Sequence, residues 1–338
     1  MGVRTQPVAR ANEFAPTRSD TPRVAFSLQI TLDILLQQIL NGLVQGSVYA
    51  LVALGYTMVY GILGLINFAH GEVVMVGAMV ALTVSQLLLA AGLPPLLVLP
   101  LSLLAAAAVC MLLGYGIERI AYRPLRNAPR LAPLITAIGV SIVLQNLAMI
   151  FWGREYHAFP SLLPNNTHTF GGAVINDVQL IIVLVALLMM VGLMLLVHRT
   201  RLGRAMRAVA ENPSAAMLMG VDINRVISVT FMLGSALAAV AGIMVSANYG
   251  IVHYYMGSIL GLKAFTAAVL GGICNLRGAM LGGVLLGLIE SLGAGYIGDL
   301  SGGFFGSNYQ DVFAFFVLIA VLIFRPSGLL GERVAERA

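Results

Sequence analysis

Long apolar segments dominate this chain and leave it few ways to fold. Seven of them run for about 17 to 27 residues with at most one charged side chain each: residues 34–60, 71–91, 96–117, 132–152, 178–198, 226–247 and 308–324. A helix needs about 20 residues to cross the roughly 30 Å hydrocarbon core of a bilayer. Each segment is therefore predicted to be a membrane-spanning helix.

The charge content supports this interpretation. Of the 338 residues, 19 are basic and 14 acidic, so 10% are charged while 59% are hydrophobic. A soluble domain carries about 25% charged residues, and the number found here is too small to cover a water-exposed surface. The composition excludes a soluble enzyme, a disordered chain and a nucleic-acid-binding protein despite the net charge of +5, and it makes membrane lipid the main surroundings.

An eighth apolar stretch, residues 262–293, is too long and too interrupted for a single span. Glycine and polar residues break it at Gly271, Gly272, Asn275, Arg277 and Gly278. We expect two short or broken helices there. The predicted fold class is an all-α polytopic membrane protein with about eight or nine transmembrane helices and two broken or re-entrant segments, one in each half.

The distribution of arginine predicts the orientation. Arginines cluster in residues 118–130, in residues 199–225 and at the C-terminal end, whereas the loops 153–177, 248–262 and 294–307 contain one between them. By the positive-inside rule the arginine-rich loops and the C-terminus are cytoplasmic.

The N-terminal region is predicted to be separate from the membrane domain. Residues 1–30 are polar and lack the apolar core of a signal peptide, which favours a disordered tail. The membrane domain then covers residues 31–331, and residues 332–338 form a short cytoplasmic end. The arginines of the tail favour the cytoplasm, which would require a further break near Gly42–Gly46.

Polar residues interrupt the apolar pattern at two places. Asn67, His70 and Glu72 lie between the first two spans, and Gly271, Gly272 and Asn275 lie within the broken stretch. Non-helical backbone inside a bilayer must line protein or water, and interruptions in both halves of a transporter point to its translocation site. The alternative is that both are turns at the membrane surface, in which Asn67 and Asn275 cap helices.

Two further patterns concern helix packing. Lys263 and Glu290 stand near the two ends of the broken stretch and are candidates for an intramembrane ion pair; alternatively, each reaches the interface separately. Glycines four residues apart, which allow close approach of helix backbones or binding of another subunit, occur at Gly42/Gly46, Gly257/Gly261, Gly278/Gly282 and Gly283/Gly287.

The loop 199–225 contains a predicted docking helix. Asn212 and Pro213 are a good helix start and Gly220 a natural stop. A helix of about two turns is not stable alone, which favours docking onto another protein, where small residues permit close approach. The alternative is a surface loop with orienting arginines. The candidate docking residues are Arg204, Glu211, Asn212, Pro213, Ala215, Ala216 and Gly220.

Sequence motifs for chemistry are absent. A Walker A loop needs Gly-Lys, but the only lysine, Lys263, follows Leu262. The sequence contains no His-Glu-x-x-His and no Gly-x-Ser-x-Gly. We therefore expect no catalytic residue, metal site or cofactor, and the energy for any transport must come from an ion gradient or a partner.

Four segments resemble a known family. Residues 45–61, 66–72, 117–126 and 263–272 are similar to the H-type permease of branched-chain amino-acid ABC importers. The resemblance covers residues 35–331, although residues 202–223 also resemble related sugar permeases. It implies a bacterial inner-membrane permease whose partners are a second homologous permease, two cytoplasmic ATPases and a periplasmic amino-acid-binding protein, with residues 212–220 as the ATPase contact.

Two other functions remain open from the sequence. The same architecture could carry urea, short amides, other amino acids or sugars. An ion-coupled secondary transporter or channel could use His70 and Glu72 as an ion site, although it leaves the predicted docking helix without a role. An intramembrane enzyme is disfavoured because no nucleophile–base or metal constellation is present.

Overall fold

The chain folds as a bundle of helices. The computed structural model describes residues 20–126, 128–129, 131–300 and 309–331. Within them lie the helices α1 Asp20–Leu63, α2 His70–Ala90, α3 Pro95–Gly116, α4 Leu131–Trp152, α5 Asp177–Arg199, α6 Arg201–Glu211, α7 Pro213–Leu218, α8 Ile223–Tyr249, α9 Met256–Gly271, α10 Leu276–Leu300 and α11 Gln310–Phe324. The short strands are β1 His157–Ala158, β2 Thr167–Phe170, β3 Ala173–Asn176 and β4 Ile251–Val252.

The predicted all-α membrane fold is confirmed. In the described part of the chain, seven helices are long and apolar enough to cross a membrane: Leu32–Leu63, His70–Ala90, Pro95–Leu125, Leu131–Trp152, Asp177–Arg199, Ile223–Tyr249 and Leu276–Tyr296. Two shorter apolar helices, α9 and α11, accompany them. The stretch predicted at 262–293 is indeed two helices, although α9 begins six residues earlier, at Met256.

The two ends of the bundle differ in composition. At the hairpin end, which comprises residues 153–176 and 250–255, β1 pairs with β4 and β2 pairs with β3, both antiparallel. At the arginine-rich end, which comprises residues 117–126, 198–225 and 325–331, the loops and short helices carry most of the described arginines. The predicted alternation of arginine-rich and arginine-poor loops thus corresponds to two separate ends.

Helix α1 is continuous, so it lacks the break that a cytoplasmic N-terminal region would require. The Gln37 amide donates to the Val174 carbonyl at 3.0 Å and its oxygen accepts from the Val174 amide at 2.7 Å, so this part of α1 lies at the hairpin end. No break occurs near Gly42–Gly46. Residues 20–30, predicted to be tail, belong to α1, and Pro22 falls in its first turn, where proline is tolerated. Residues 1–19 and 332–338 lie outside the described residues.

The core forms around α1 and α8. Each has 78% of its most apolar window buried, against 22% for α3, 17% for α4 and 28% for α5. The last three therefore leave most of their surface outside the packed interior of the described chain. Helix α10 packs on α1 through Gly46, Gly283 and Gly287, where each glycine meets the opposing backbone directly. The close approach predicted from the glycine spacing is confirmed at this interface.

Candidate functional site

The first interruption of the apolar pattern, at residues 64–69 between α1 and α2, lies inside the bundle. Helix α1 ends at Leu63 and is followed by Gly64, whose φ of +63° favours glycine; residues 64–69 are not helical, and α2 begins at His70. The His70 ring lies beside Gly55 of α1 and Gly234 of α8. At 1.5 Å per residue these two positions are roughly 12 and 17 Å from the arginine-rich ends of their helices. Helix α2 therefore starts within the apolar layer.

His70 is enclosed by this packing. Its side chain is buried, and the ring meets Tyr56 edge to face with 4.8 Å between centroids. The Nε2 atom is buried without a hydrogen-bond partner. A Cβ added at Gly55 would overlap this ring, so the glycine provides the space that the histidine occupies.

We expect Gly55→Ala to displace His70 and to lower the free energy of unfolding by about 1–3 kcal/mol, because overpacking of a filled site forces side chains and backbone to move. Gly61→Ala in the same helix is the matched control, since nothing lies within 4 Å of its Cβ. The thermal stability of both variants is measured in detergent. Equal behaviour of the two would show that the Gly55–His70 contact has no importance.

Glu72 joins three helices. Its Oε1 accepts from Gln145 at 2.7 Å and Ser141 at 3.3 Å on α4, and from Ser258 at 2.9 Å on α9. Its Oε2 is buried without a hydrogen-bond partner. None of these three donors was predicted from the sequence. Ser141 and Gln145 were detectable as polar residues four apart on an apolar helix, but nothing local indicated which carboxylate they contact.

The starts of α2 and α9 cross at this level. A Cβ at Gly71 would lie 2.8 Å from the Gly261 Cα, and one at Gly257 would lie 3.0 Å from the Glu72 Cα. Helix α9 has 16 residues, too few to span a bilayer. The first residues of α9 therefore pack directly against the first residues of α2.

The second interruption is a turn at the arginine-rich end. Gly271, Gly272 and Asn275 form it between α9 and α10, as in the alternative of a surface turn in which Asn275 caps a helix. Asn275 Oδ1 accepts from the Arg277 and Gly278 amides at 3.0 and 3.3 Å, which caps α10. The chain's own C-terminal segment covers the turn, because the Leu329 and Leu330 amides donate to the Leu270 and Gly271 carbonyls.

Asn67 lies in the non-helical segment before α2. Its Oδ1 accepts from the Ala69 amide at 3.2 Å and from the Tyr122 hydroxyl at 3.1 Å. It is buried, with 4% of its surface exposed. The structure thus brings Asn67, His70 and Glu72 together in one region and separates them from Gly271, Gly272 and Asn275.

Lys263 and Glu290 form an ion pair at the junction of four helices. Lys263 Nζ lies 3.2 Å from Glu290 Oε2 and 2.7 Å from Asp311 Oδ1 on α11. Glu290 Oε2 also accepts from the Tyr49 hydroxyl at 2.7 Å and from Gln45 at 3.2 Å. Asp311, Tyr49 and Gln45 were not predicted, because they stand far away in the sequence.

The predicted docking segment contains the helix α7. Asn212 Oδ1 accepts from the Ala215 amide at 3.0 Å, and Gly220 ends the segment with a φ of +83°. Ala216 is 4% exposed and so faces the chain's own bundle, whereas Leu218 is 86% exposed. The other outward-facing members are Ala215, Met217, Met219, Pro213, and, before the helix, Arg204 and Glu211.

The exposed surface of this segment is therefore formed mainly by large apolar side chains, and not by the small residues that were predicted to permit close approach. Met217, Leu218 and Met219 project outward, with 61%, 86% and 84% of their surfaces exposed. These side chains follow an arginine-bearing helix, α6, at the end of the bundle where lipid tails are not expected to reach. Within the described residues no group of three or more His, Cys, Asp or Glu side chains could hold a metal ion.

Comparison with known proteins identifies relatives of the whole membrane domain. A family model described as "Branched-chain amino acid transport system / permease component" matches residues 38–322. The chain is 49% identical over 310 residues to the high-affinity branched-chain amino acid transport system permease protein BraD of Pseudomonas aeruginosa, which covers 89% of this chain and 97% of that protein. No solved structure matches the chain.

Two further relatives extend the similarity. LivH of Escherichia coli strain K12, a high-affinity branched-chain amino acid transport system permease protein, is 44% identical over 308 residues, covering 89% of this chain and 97% of that protein. A probable branched-chain amino acid transport permease protein LivH of Methanocaldococcus jannaschii is 31% identical over 307 residues, with 87% and 92% covered.

Proposed function

Because this chain belongs to the family of branched-chain amino acid transport permeases, we propose that it is the membrane-spanning subunit of an ATP-driven importer. Its cargo is the branched-chain, aliphatic amino acids, and its location is the inner membrane of a bacterium. The observation that carries the proposal is 44–49% identity over nearly the full membrane domain to BraD and LivH. The arginine-rich end faces the cytoplasm by the positive-inside rule, and the C-terminus lies on the same side.

The partners follow from what the chain lacks and from what it exposes. The sequence has no Walker A motif, so ATP is hydrolysed by separate subunits. We expect two cytoplasmic ATPases, a second homologous permease and a periplasmic binding protein that delivers the amino acid. The permease itself needs no cofactor and no nucleic acid.

The ATPase contact is the segment 212–220. Its helix α7 stands at the arginine-rich end and exposes Met217, Leu218 and Met219. The bundle covers only Ala216 of this helix and leaves the three large apolar side chains uncovered, so a groove on the ATPase supplies the missing packing. Arg204 and Glu211, both exposed on α6, flank this contact.

The interrupted region beside α2 supports the translocation step. Asn67, His70 and Glu72 are each less than 5% exposed, which favours a role in stabilising the non-helical backbone beside the path over direct binding of the cargo. Gly271, Gly272 and Asn275 lie further along, at the cytoplasmic exit. Alternating access then arises from movement of these helices when the ATPases approach each other.

We expect Leu218→Asp to reduce ATPase co-purification by about tenfold or more, because a carboxylate buried without a partner in an apolar groove costs several kcal/mol. Phe170→Asp is the matched control: it places the same charge on a 75% exposed apolar residue, at the opposite end of the bundle. Pull-down of the ATPases from detergent-solubilised membranes measures both. If the Leu218→Asp variant recovers as much ATPase as the wild type, α7 is not the ATPase contact.

The proposed function is tested by reconstitution. The permease is co-purified with its partners, placed in liposomes and supplied with binding protein, radiolabelled leucine and ATP. Uptake that depends on ATP supports the proposal, and competition by valine and isoleucine identifies the cargo class. Uptake of urea, an amide or a sugar instead would change the cargo, whereas transport by the chain alone without ATP would establish a secondary transporter or channel.

A further inference from the structure

The segment Ile117–Arg126 has no role in the function described so far. It continues α3 at the arginine-rich end, and its first six residues, Ile117–Tyr122, form a π-helical turn. Such turns are rare and are found frequently at functional sites. The segment lies between the start of α8, which follows the docking helix α7, and the non-helical residues 64–69.

Its first set of contacts is directed towards α8. Arg126 donates to Asn224 Oδ1 at 2.6 Å and to Glu118 Oε1. Glu118 is fully buried, and its other oxygen accepts from the Ser228 hydroxyl at 2.6 Å. Asn224 stands four residues after Gly220, where the α7 segment ends. Only a short turn therefore separates the docking helix from this network. The turn ends at Asp222, whose side chain caps the start of α8.

Its second set of contacts is directed towards the interruption. Tyr122, one turn after Glu118, is 1% exposed, and its hydroxyl donates to Asn67 Oδ1 at 3.1 Å and lies 3.3 Å from the Ile66 carbonyl oxygen. The ring packs on Phe231 of α8 with 5.3 Å between centroids. The backbone that precedes His70 is thus held from one side by a residue of the π-helical turn.

The two sets of contacts behave as one unit because of the buried charge. A buried carboxylate that loses its cation costs about 3–5 kcal/mol, so Glu118 and Arg126 remain together when α8 is displaced. The π-helical turn carries both Glu118 and Tyr122, and it moves with them. Displacement of α8 at Asn224 and Ser228 is therefore carried to Asn67.

From this geometry we infer that Glu118, Arg126 and Tyr122 are positioning residues that couple the docking helix α7 to the interrupted segment 64–69. Movement of α7 by the ATPases shifts the start of α8, the π-helical turn follows through Arg126 and Glu118, and Tyr122 shifts the backbone at Ile66 and Asn67. This inference rests on the proposed function and adds a linkage within it.

The test uses the complete reconstituted complex and compares transport with ATP hydrolysis. Tyr122→Phe removes one hydroxyl and keeps the ring in place. We expect it to assemble with the ATPases and to lower the amount of amino acid transported per ATP hydrolysed by about tenfold, within the range of typical coupling energies. Tyr115→Phe is the matched control, because its hydroxyl accepts from the exposed Arg119 side chain and lies about two turns earlier along the chain.

A double-mutant cycle separates coupling from general destabilisation. Asn67→Ala should reduce the transport-to-hydrolysis ratio at least as much as Tyr122→Phe does, because it also removes the hydrogen bond from the Ala69 amide. The double variant should show no loss beyond that of Asn67→Ala alone, since the bond between Tyr122 and Asn67 is already absent there. A normal ratio for Tyr122→Phe, independent losses that multiply, or loss of ATPase binding would each overturn the linkage. A wild-type complex without ATP-driven uptake would instead overturn the proposed function, and the linkage with it.

Discussion

Replacing Gly46 with leucine is expected to prevent accumulation of the folded protein. A Cβ at Gly46 would already lie 2.7 Å from the Val284 Cα and 2.8 Å from the Val284 carbonyl oxygen, and Gly287 packs against the same stretch of backbone. A leucine side chain can be placed only if α1 and α10 separate. In lipid, helices are held together by such close packing rather than by the hydrophobic effect, and we expect a loss of about 3 kcal/mol or more.

The matched control for this substitution is Gly192→Leu. Gly192 lies on the exposed face of α5, and nothing lies within 4 Å of its Cβ. Membrane accumulation and the Tm in detergent are measured for both variants. Gly192→Leu should match the wild type, while Gly46→Leu should be largely degraded. Equal accumulation of the two would mean that α1 and α10 do not pack as described.

Replacing Lys263 with methionine is expected to destabilise the bundle by about 3–5 kcal/mol, because it leaves the buried Glu290 carboxylate without its cation. Lys263 is the shared partner of Glu290 and Asp311, and Glu290 is 1% exposed. Methionine keeps the length and apolar stem of the side chain, so the lost charge is the main change. The Tm and the denaturant midpoint in detergent measure the effect.

A second substitution distinguishes the charge from the shape of the side chain. Adding Glu290→Gln to Lys263→Met removes one of the unpaired carboxylates, and the amide still reaches the Tyr49 hydroxyl. We expect the double variant to recover a substantial part of the lost stability. Arg201→Met, at an exposed site on α6, controls for the loss of a single positive charge. If the double variant recovers no stability, the destabilisation by Lys263→Met is due to packing rather than to charge.

Several elements of the fold could be predicted from the sequence because the bilayer restricts the chain. The segment predicted at 132–152 is α4, Leu131–Trp152, and the one predicted at 178–198 is α5, Asp177–Arg199. Only a continuous helix satisfies all backbone polar groups in lipid, so an apolar run of the right length has essentially one conformation. The first interruption was predictable as well, because Gly64 and Asn67 do not favour continuation of an apolar helix.

The docking segment shows what a local sequence pattern can predict and what it cannot. Asn212, Pro213 and Gly220 correctly predicted the bounds of a short helix, because capping depends on a few adjacent residues. The face that the helix exposes was not predicted. Ala216 packs on the chain's own bundle and Leu218 projects outward, which depends on how α7 rests against α8.

The sequence by itself determined the membrane class, six of the seven long spans of the described chain, the arginine-rich and arginine-poor ends and the family. Only the tertiary structure decided that Glu72 meets Gln145 and Ser258, that Asp311 joins Lys263, and that the turn at Asn275 lies at the arginine-rich end of the bundle. The physical reason is the range of the interactions involved. Lipid acts on each apolar segment separately, whereas the partner of a buried polar group depends on helix tilts set by close glycine contacts between segments hundreds of residues apart.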